Sequence, residues 1–317
     1  MSGVAVVLMN LGGPDCPAAV EPFLYNLFSD PAIIGLPGIL RRPLARLLAR
    51  RRAVVARSIY DRLGGASPLL ANTRAQACAL ETRLGAGARV FVAMRYWRPA
   101  SEETAREVRD CRPEEVVLLP LYPQFSTTTT GSSLAAWREA AARIGLECPT
   151  RTIGSYPTEP GFVAALSQLI APELDAAIAA GGAVRLLFTA HGLPQKTVRR
   201  GDPYPQQVNA TAAAVAAALG RPGLDWRLSY QSRVGPLAWL QPYTDDEIRA
   251  AGAARLALVV APISFVSEHS ETLVELDDDY RRLARECGVP RYRRVPTVGT
   301  HPLFIDALAA LIRGERG

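Results

Sequence analysis

Histidine is the side chain best suited to accept a proton or bind a metal near neutral pH, and the chain has three: His191, His269 and His301. His191 directly follows an apolar run, 184–190, and a glycine and a proline end that run. Ligands bind at the carboxyl ends of strands in parallel α/β sheets. His191 is therefore a candidate base or metal ligand, although a lone histidine at a strand end is more often a packing residue.

Three carboxylates form a second candidate group. Glu271, Glu275 and Asp279 are spaced four residues apart, so they share one face of a regular α-helix. Like charges at this spacing destabilise a helix by about 0.2–0.5 kcal/mol per pair, so the row needs compensation. Carboxylate oxygens beside a histidine suit a divalent ion in transit, whereas thiolates would trap it. The alternative is a solvated acidic face balanced by the arginines that follow.

A third candidate is the polar block Ser-Thr-Thr-Thr-Thr-Gly-Ser-Ser at 126–133, which lies between a predicted strand and a predicted helix. Hydroxyls and free N–H groups at a helix N-terminus bind phosphate or carboxylate. The block lacks the lysine of a P-loop, which argues against nucleotide binding. Many such blocks are only helix caps.

Short β-branched runs alternate with long Ala/Leu/Arg segments along the chain, which predicts an α/β fold with parallel sheets. The predicted strands are 4–10, 89–94, 115–121, 184–190, 226–231 and 255–261. The predicted helices are 71–84, 101–110, 133–144, 160–180, 204–219, 245–251 and 267–286. A chain of 317 residues is longer than one core usually supports, so we expect two domains.

The two halves of the chain resemble each other. Pro123 and Pro262, which follow equivalent strands, are 139 residues apart, and Arg95 and Arg233, one element earlier, are 138 apart. Two copies of one α/β unit explain these offsets, and so does the general similarity of βα units.

If the two halves are copies of one unit, the segment 32–52 belongs to extra sequence in the first half. It combines a leucine stripe with arginines. Such a segment can lie on an anionic bilayer surface. The alternative, which the pattern alone favours, is an ordinary amphipathic helix packed on the core.

Amino-acid composition limits the classes of partner and the cellular compartment that we expect for this protein. The net charge of +6 comes almost entirely from arginine and favours anionic partners, but no nucleic-acid-binding motif is present. The five cysteines show no CxxC spacing, which predicts a reducing compartment and neither a zinc nor an iron–sulfur site. We expect no signal peptide and no membrane-spanning stretch of about 20 residues, and hence a cytoplasmic protein or one attached to a membrane face.

Taken together, these segments resemble the ferrochelatase family nearly from end to end. The motifs that carry the resemblance are Asn-Leu-Gly-Gly-Pro at 10–14, Gly-Gly-Ala-Ser-Pro at 64–68, Met-Arg-Tyr at 94–96, Tyr-Pro-Gln-Phe-Ser-Thr-Thr-Thr-Thr-Gly-Ser at 122–132, Thr-Ala-His-Gly-Leu-Pro at 189–194, Gly-Asp-Pro-Tyr-Pro at 201–205, Gln-Ser-Arg-Val-Gly-Pro at 231–236, Trp-Leu at 239–240 and Ser-Glu-His-Ser-Glu-Thr-Leu at 267–273. Their order and spacing make the resemblance specific.

The resemblance implies two Rossmann-like domains, each a parallel sheet flanked by helices, with the active-site cleft between them. The first domain would be 1–150, with a porphyrin-binding lip at about 32–68. The second would be 151–317, with its last helix packing back on the first. His191 would be the pyrrole-proton acceptor or metal ligand and Glu271 its acidic partner, with Glu275 and Asp279 continuing the metal path. The implied porphyrin-binding residues are Leu11, Arg52, Tyr60, Ser67, Arg95, Tyr96, Tyr122 and Trp239.

The implied activity is insertion of Fe²⁺ into protoporphyrin IX, the last step of haem biosynthesis. The motif at 231–236 resembles members that use protoporphyrin IX rather than coproporphyrin III. The chain lacks the cysteine-bearing extension of some members, so we expect no iron–sulfur cluster and no other prosthetic group. The implied partners are porphyrin, ferrous iron, the inner face of the cell membrane and, transiently, neighbouring haem-pathway enzymes. Alternatives are a coproporphyrin ferrochelatase, a cobalt or nickel chelatase, and a non-catalytic haem or metal carrier.

Overall fold

The computed structural model describes residues 3–314, which form two compact units. The first unit extends to Ser155, and it also includes the last helix from Leu308 onward. The second unit begins at Tyr156. The sequence had predicted the boundary between the two domains after residue 150. Arg151 fixes the end of the last helix within the first unit, because its guanidinium donates to the carbonyls of Leu311 (3.3 Å) and Ile312 (2.5 Å).

The first unit is a four-stranded parallel sheet in the order β2-β1-β3-β4. Its strands are β1 Val4–Asn10, β2 Ala88–Met94, β3 Glu115–Pro120 and β4 Thr150–Thr152. Its helices are α1 Val20–Phe28, α2 Gly38–Asp61, α3 Leu69–Leu84, α4 Ser101–Cys111 and α5 Ser132–Ile144, with a 3₁₀ turn at Pro17–Ala19 and a π-type turn at Thr127–Gly131.

The second unit is a four-stranded parallel sheet in the order β6-β5-β7-β8. Its strands are β5 Val184–His191, β6 Trp226–Gln231, β7 Ala257–Pro262 and β8 Tyr292–Arg294. Its helices are α6 Pro160–Ala179, α7 Gln195–Arg199, α8 Tyr204–Ala218, α9 Thr244–Ala253, a π-helix Glu271–Tyr280, α10 Arg281–Glu286 and α11 Pro302–Arg313, whose final part groups with the first unit.

The central strands are apolar on both faces because helices cover both faces of each sheet. In the second unit, Leu187, Leu258 and Val260 pack against α9 and α10, while α6 and α8 cover the opposite face. The two sheets have the same strand order, which supports the interpretation of the chain as two copies of one α/β unit. The α/β prediction with two parallel sheets is confirmed.

The prediction that no apolar stretch has the length of a membrane span was wrong for one helix. Within residues 3–314, α6 is long and apolar enough to cross a membrane, by length and composition. It is apolar because it packs on the sheet: Phe162, Leu166, Ile170 and Leu174 are almost completely buried.

Helix α2 distributes its side chains in an unusual way. The side it buries includes three alanines at intervals of four, Ala45, Ala49 and Ala53, followed by Tyr60 near the end of the helix. Large apolar side chains lie on the exposed surface instead, with Ile39 83% and Val54 69% exposed. Two leucines of the stripe are also exposed, Leu40 by 59% and Leu47 by 47%. The alternative that the whole leucine stripe packs on the core is therefore wrong for these two residues.

Candidate active site

The site lies at the carboxyl edge of the second sheet. His191 is the last residue of β5, and its Nδ1 atom is 2.8 Å from Oε2 of Glu271. The backbone N–H of His191 donates to the hydroxyl of Ser264 (3.2 Å). The indole of Trp239 meets the imidazole edge to face, with ring centroids 6.4 Å apart. Sequence reasoning paired His191 with Glu271 and placed Trp239 among the porphyrin-binding residues. The structure brings these three residues together.

The topology explains why residues 80 positions apart meet. β5 lies between β6 and β7, so the connections leaving β5 and β7 diverge at their carboxyl ends, the location where ligands bind in open α/β sheets. His191 ends β5, and the chain that leaves β7 enters the π-helix at Glu271. The third strand, β6, contributes Gln231 and then Ser232.

Histidine and carboxylate shift each other's pKa in opposite directions. Burial by itself lowers the pKa of His191, but the negative charges of Glu271 and Glu275 and the hydrogen bond to Glu271 outweigh it, so the pKa is raised above 6.5. Burial raises the pKa of Glu271, but the charge and hydrogen bond of His191 and the adjacent His269 outweigh it, so the pKa of Glu271 lies far below its ordinary value. The site therefore favours an ion pair.

His269 is a second histidine beside the same carboxylate. Its Nε2 atom is 3.7 Å from Oε2 of Glu271, and its Nδ1 is 3.0 Å from the carbonyl of Ser267. A carbonyl only accepts, so Nδ1 carries a proton, and Nε2 can donate toward Glu271 only when the ring is cationic. The ring of Phe265 packs on His269 with centroids 4.6 Å apart.

Glu275 is enclosed by hydrogen-bond donors. Its Oε1 accepts from the backbone N–H of Ser232 (2.9 Å) and the hydroxyl of Tyr280 (3.1 Å), and its Oε2 accepts from the Ser232 hydroxyl (2.5 Å) and the Gln231 amide (3.0 Å). Ser232 reaches Glu275 twice because it has φ +63°, a conformation that is costly for a residue with a Cβ. Burial and the charge of Glu271 nevertheless raise the pKa of Glu275.

The regular α-helix assumed for the acidic row was wrong. Glu271–Tyr280 is a π-helix, in which the hydrogen bonds join residues five apart. Tyr280, five residues after Glu275, is the side chain that contacts Glu275 from the next turn, while Asp279 pairs with Arg282 (3.3 Å). Burial and the charge of Glu275 raise the pKa of Tyr280, so its hydroxyl stays protonated and donates.

The predicted metal set His191, Glu271, Glu275 and Asp279 does not form a ready metal site. In the part of the chain that the structure describes, no three His, Cys, Asp or Glu side chains are grouped so that they could hold an ion. Glu271 is bound to His191, Glu275 to its four donors and Asp279 to Arg282.

A separate polar cluster lies at the carboxyl edge of the first sheet. The N–H of Tyr96 donates to the carbonyl of Leu11 (2.9 Å), which brings two predicted porphyrin contacts together. The Arg95 guanidinium donates to Oδ2 of Asp30 (2.8 Å) and to Ser132, and the Tyr96 hydroxyl donates to the same Asp30 oxygen (2.7 Å). Asp30 is 3% exposed, so Arg95 is committed to an internal ion pair.

The structure places the other four predicted contacts of this unit as follows. Tyr60 packs in the apolar cluster that contains Tyr96. Ser67 lies against Gly13, where a Cβ would approach its hydroxyl to 2.5 Å. Arg52 lies on the exposed surface of α2. The Tyr122 hydroxyl is buried, and this burial raises its pKa above the ordinary value.

Sequence reasoning missed several residues that shape these sites: Asp30, Ser232, Ser264 and Tyr280. Ser232 lies inside the motif at 231–236 and Ser264 directly follows a strand, so position alone was a usable signal for both. Asp30 precedes a proline and carried only a turn signal. Tyr280 had no signal, because its contact depends on the π-helix.

Solved structures with a similar fold include the sirohydrochlorin chelatase SirB. CbiX, the terminal enzyme for biosynthesis of siroheme in denitrifying bacteria, matches with a TM-score of 0.52 at 17% identity, over 99% of this chain and 100% of that chain. SirB from Bacillus subtilis with Fe³⁺ matches with a TM-score of 0.53 at 10% identity, over 99% and 96%. The two-unit α/β fold therefore matches that of chelatase-like structures.

Comparison with sequences identifies the family within that class. The ferrochelatase family model matches residues 3–316. A ferrochelatase of Phenylobacterium zucineum is 56% identical over 98% of this chain and 91% of its own length, and one of Caulobacter vibrioides is 54% identical over 99% and 90%. The chain belongs to the ferrochelatase family. It is a metal-inserting enzyme of haem synthesis, a lyase whose substrates are a porphyrin and a metal ion.

Proposed function

We propose that the enzyme inserts Fe²⁺ into protoporphyrin IX, with His191 as the acceptor of the pyrrole protons and Glu271 as its charged partner. The reaction replaces two N–H protons at the centre of the macrocycle by one Fe²⁺, so two protons must leave. The observation that carries the proposal is the 2.8 Å contact between Nδ1 of His191 and Oε2 of Glu271 at the carboxyl edge of β5.

This contact determines which nitrogen is reactive. A carboxylate on Nδ1 holds the proton there and leaves the lone pair of the neutral ring on Nε2. The imidazole side chain is 37% exposed, so Nε2 can meet a substrate atom. When Nε2 takes a proton, Glu271 stabilises the imidazolium, as the raised pKa of His191 reflects. The same lone pair can alternatively bind the incoming metal.

The two glutamates have different environments, which supports different roles. The low pKa of Glu271 keeps it ionised beside His191, whereas the raised pKa of Glu275 makes it the carboxylate better able to hold a proton. The amide of Gln231 joins them, since it donates both to the carbonyl of Glu271 and to the carboxylate of Glu275. We infer that Glu275 serves proton removal, and that Fe²⁺ is a substrate in transit.

The substrate assignment is tested by anaerobic insertion assays that combine Fe²⁺, Co²⁺ and Ni²⁺ with protoporphyrin IX, coproporphyrin III and sirohydrochlorin. We expect the highest kcat/KM for Fe²⁺ with protoporphyrin IX, with protohaem identified by its absorption spectrum. A higher kcat/KM for coproporphyrin III or sirohydrochlorin would overturn the porphyrin assignment, and a preference for Co²⁺ or Ni²⁺ would overturn the metal assignment.

We also propose that the exposed surface of α2 contacts the inner face of the cell membrane. Ile39, Leu40, Leu47 and Val54 lie on one side of the helix, and arginines are interspersed with them along α2. Contiguous exposed apolar side chains mark interaction surfaces. The basic residues between them suit anionic lipid headgroups.

Replacing Ile39 and Val54 together with serine is expected to weaken binding to phosphatidylglycerol vesicles by about tenfold or more, because each side chain loses apolar burial in the bilayer surface. Vesicle co-sedimentation measures the affinity. Ile178→Ser, on α6 and 48% exposed, is the control that should leave binding unchanged. Equal binding by the double variant and the wild type would refute the membrane contact.

A further inference from the structure

The edge strand β8 presents two different faces, because successive side chains of a strand point in opposite directions. Tyr292 and Arg294 face the π-helix: the Tyr292 hydroxyl donates to the carbonyl of Leu276 (2.8 Å). Arg293 points the other way and pairs with Glu173 of α6 (2.6 Å). One face of this three-residue strand therefore contacts the π-helix that carries the acidic residues.

Arg294 makes the most extensive of these contacts. Its Nε and Nη2 atoms meet the two carboxylate oxygens of Asp277 at 3.0 and 2.5 Å, and its Nη1 meets Oε1 of Glu268 at 2.6 Å. The Arg294 side chain is 10% exposed. A two-pronged arginine–carboxylate contact fixes direction as well as distance. Glu268 is held further by the backbone N–H of Thr297 (2.9 Å).

These two carboxylates lie on either side of the reactive ones. Glu268 immediately precedes His269 and comes just before Glu271, and Asp277 follows Glu275 within the π-helix. A π-helix is rare and usually short, so a ten-residue one needs support from outside itself. A single guanidinium that holds Glu268, just before the π-helix, and Asp277, within it, supplies that support.

We propose that Arg294 is a positioning residue for metal insertion, which acts by holding Glu268 and Asp277 so that Glu271 stays in contact with His191. It touches neither reactive residue. The proposal rests on the proposed role of the His191–Glu271 pair. It adds a residue of β8 that sets the position of that pair.

The test is steady-state insertion of Fe²⁺ into protoporphyrin IX by the full-length Arg294→Met variant. We expect kcat to fall about 10- to 100-fold, the usual effect of removing a residue that orients a reactive group. The KM for porphyrin should stay within about twofold, and Arg294→Lys should recover part of kcat by retaining one charge contact.

Arg293→Met is the matched control, since it removes an ion pair of the same type from the opposite face of the same strand. Its kcat should stay at the wild-type value, with both variants' thermal stabilities measured alongside. If Arg294→Met does not fold, Asp277→Asn replaces it. In that variant kcat should also fall, but by less than in Arg294→Met.

An unchanged kcat in Arg294→Met, or an equal fall in Arg293→Met, would overturn the proposal. Failure of the His191–Glu271 assignment is recognised separately, because Glu271→Gln would then insert iron as fast as the wild type.

Discussion

A His191→Ala variant is expected to lose metal insertion by about a thousandfold, within the range that general acid–base catalysis contributes. Alanine removes Nε2, the proposed acceptor of the pyrrole protons, and leaves the carboxylate of Glu271 without its partner. Porphyrin should still bind, because most of the predicted porphyrin contacts lie on other residues. The measurements are kcat for protohaem formation under anaerobic conditions and protoporphyrin affinity from fluorescence.

His301→Ala serves as the control, because His301 lies outside this cluster, just before α11. It should retain the wild-type kcat. Turnover by His191→Ala within about tenfold of the wild type would remove His191 from the chemistry. If His191→Ala loses both porphyrin binding and turnover, His191 is assigned to substrate binding instead.

Glu271→Gln is expected to lower kcat by about 10- to 100-fold and also to lower the pKa of His191. In the native site, burial lowers that pKa and the carboxylates raise it, Glu271 foremost, with a net value above 6.5. Glutamine keeps the shape but removes the charge, so the opposing effect of burial gains weight. NMR titration of His191 should therefore show a lower pKa in the variant, and the acidic limb of the pH–rate profile should move to lower pH.

The same change has a consequence for stability. A histidine whose pKa is raised on folding stabilises the folded state below its unfolded pKa, and this contribution is lost as pH rises through the folded pKa. As pH rises above the ordinary histidine pKa of about 6.5, the wild type should therefore lose more free energy of unfolding than Glu271→Gln does.

Glu286→Gln, an exposed glutamate at the end of α10, is the control for charge alone and should leave both kcat and the His191 titration unchanged. An unaltered kcat and His191 pKa in Glu271→Gln would mean that the carboxylate is not coupled to the histidine.

Sequence pattern predicted most of the fold, because its causes are local. β1, β3, β5 and β7 are continuous apolar runs, as strands covered on both sides require, and all four were predicted. The edge strands β4 and β8 were missed. Each has three residues of partly polar composition and exists because a neighbouring strand offers hydrogen bonds.

The sequence by itself determined that His191 ends a buried strand and that Glu271 follows another, because these positions depend on apolar runs and turn residues. Tertiary structure alone decided how the acidic residues are used. The π-helix depends on donors from distant segments, such as Ser232 and Tyr292, and it makes Tyr280 rather than Asp279 the neighbour of Glu275. The guanidinium of Arg95 likewise pairs with buried Asp30, 65 residues away in the chain. No local pattern encodes such contacts, because each depends on which strand ends the fold brings together.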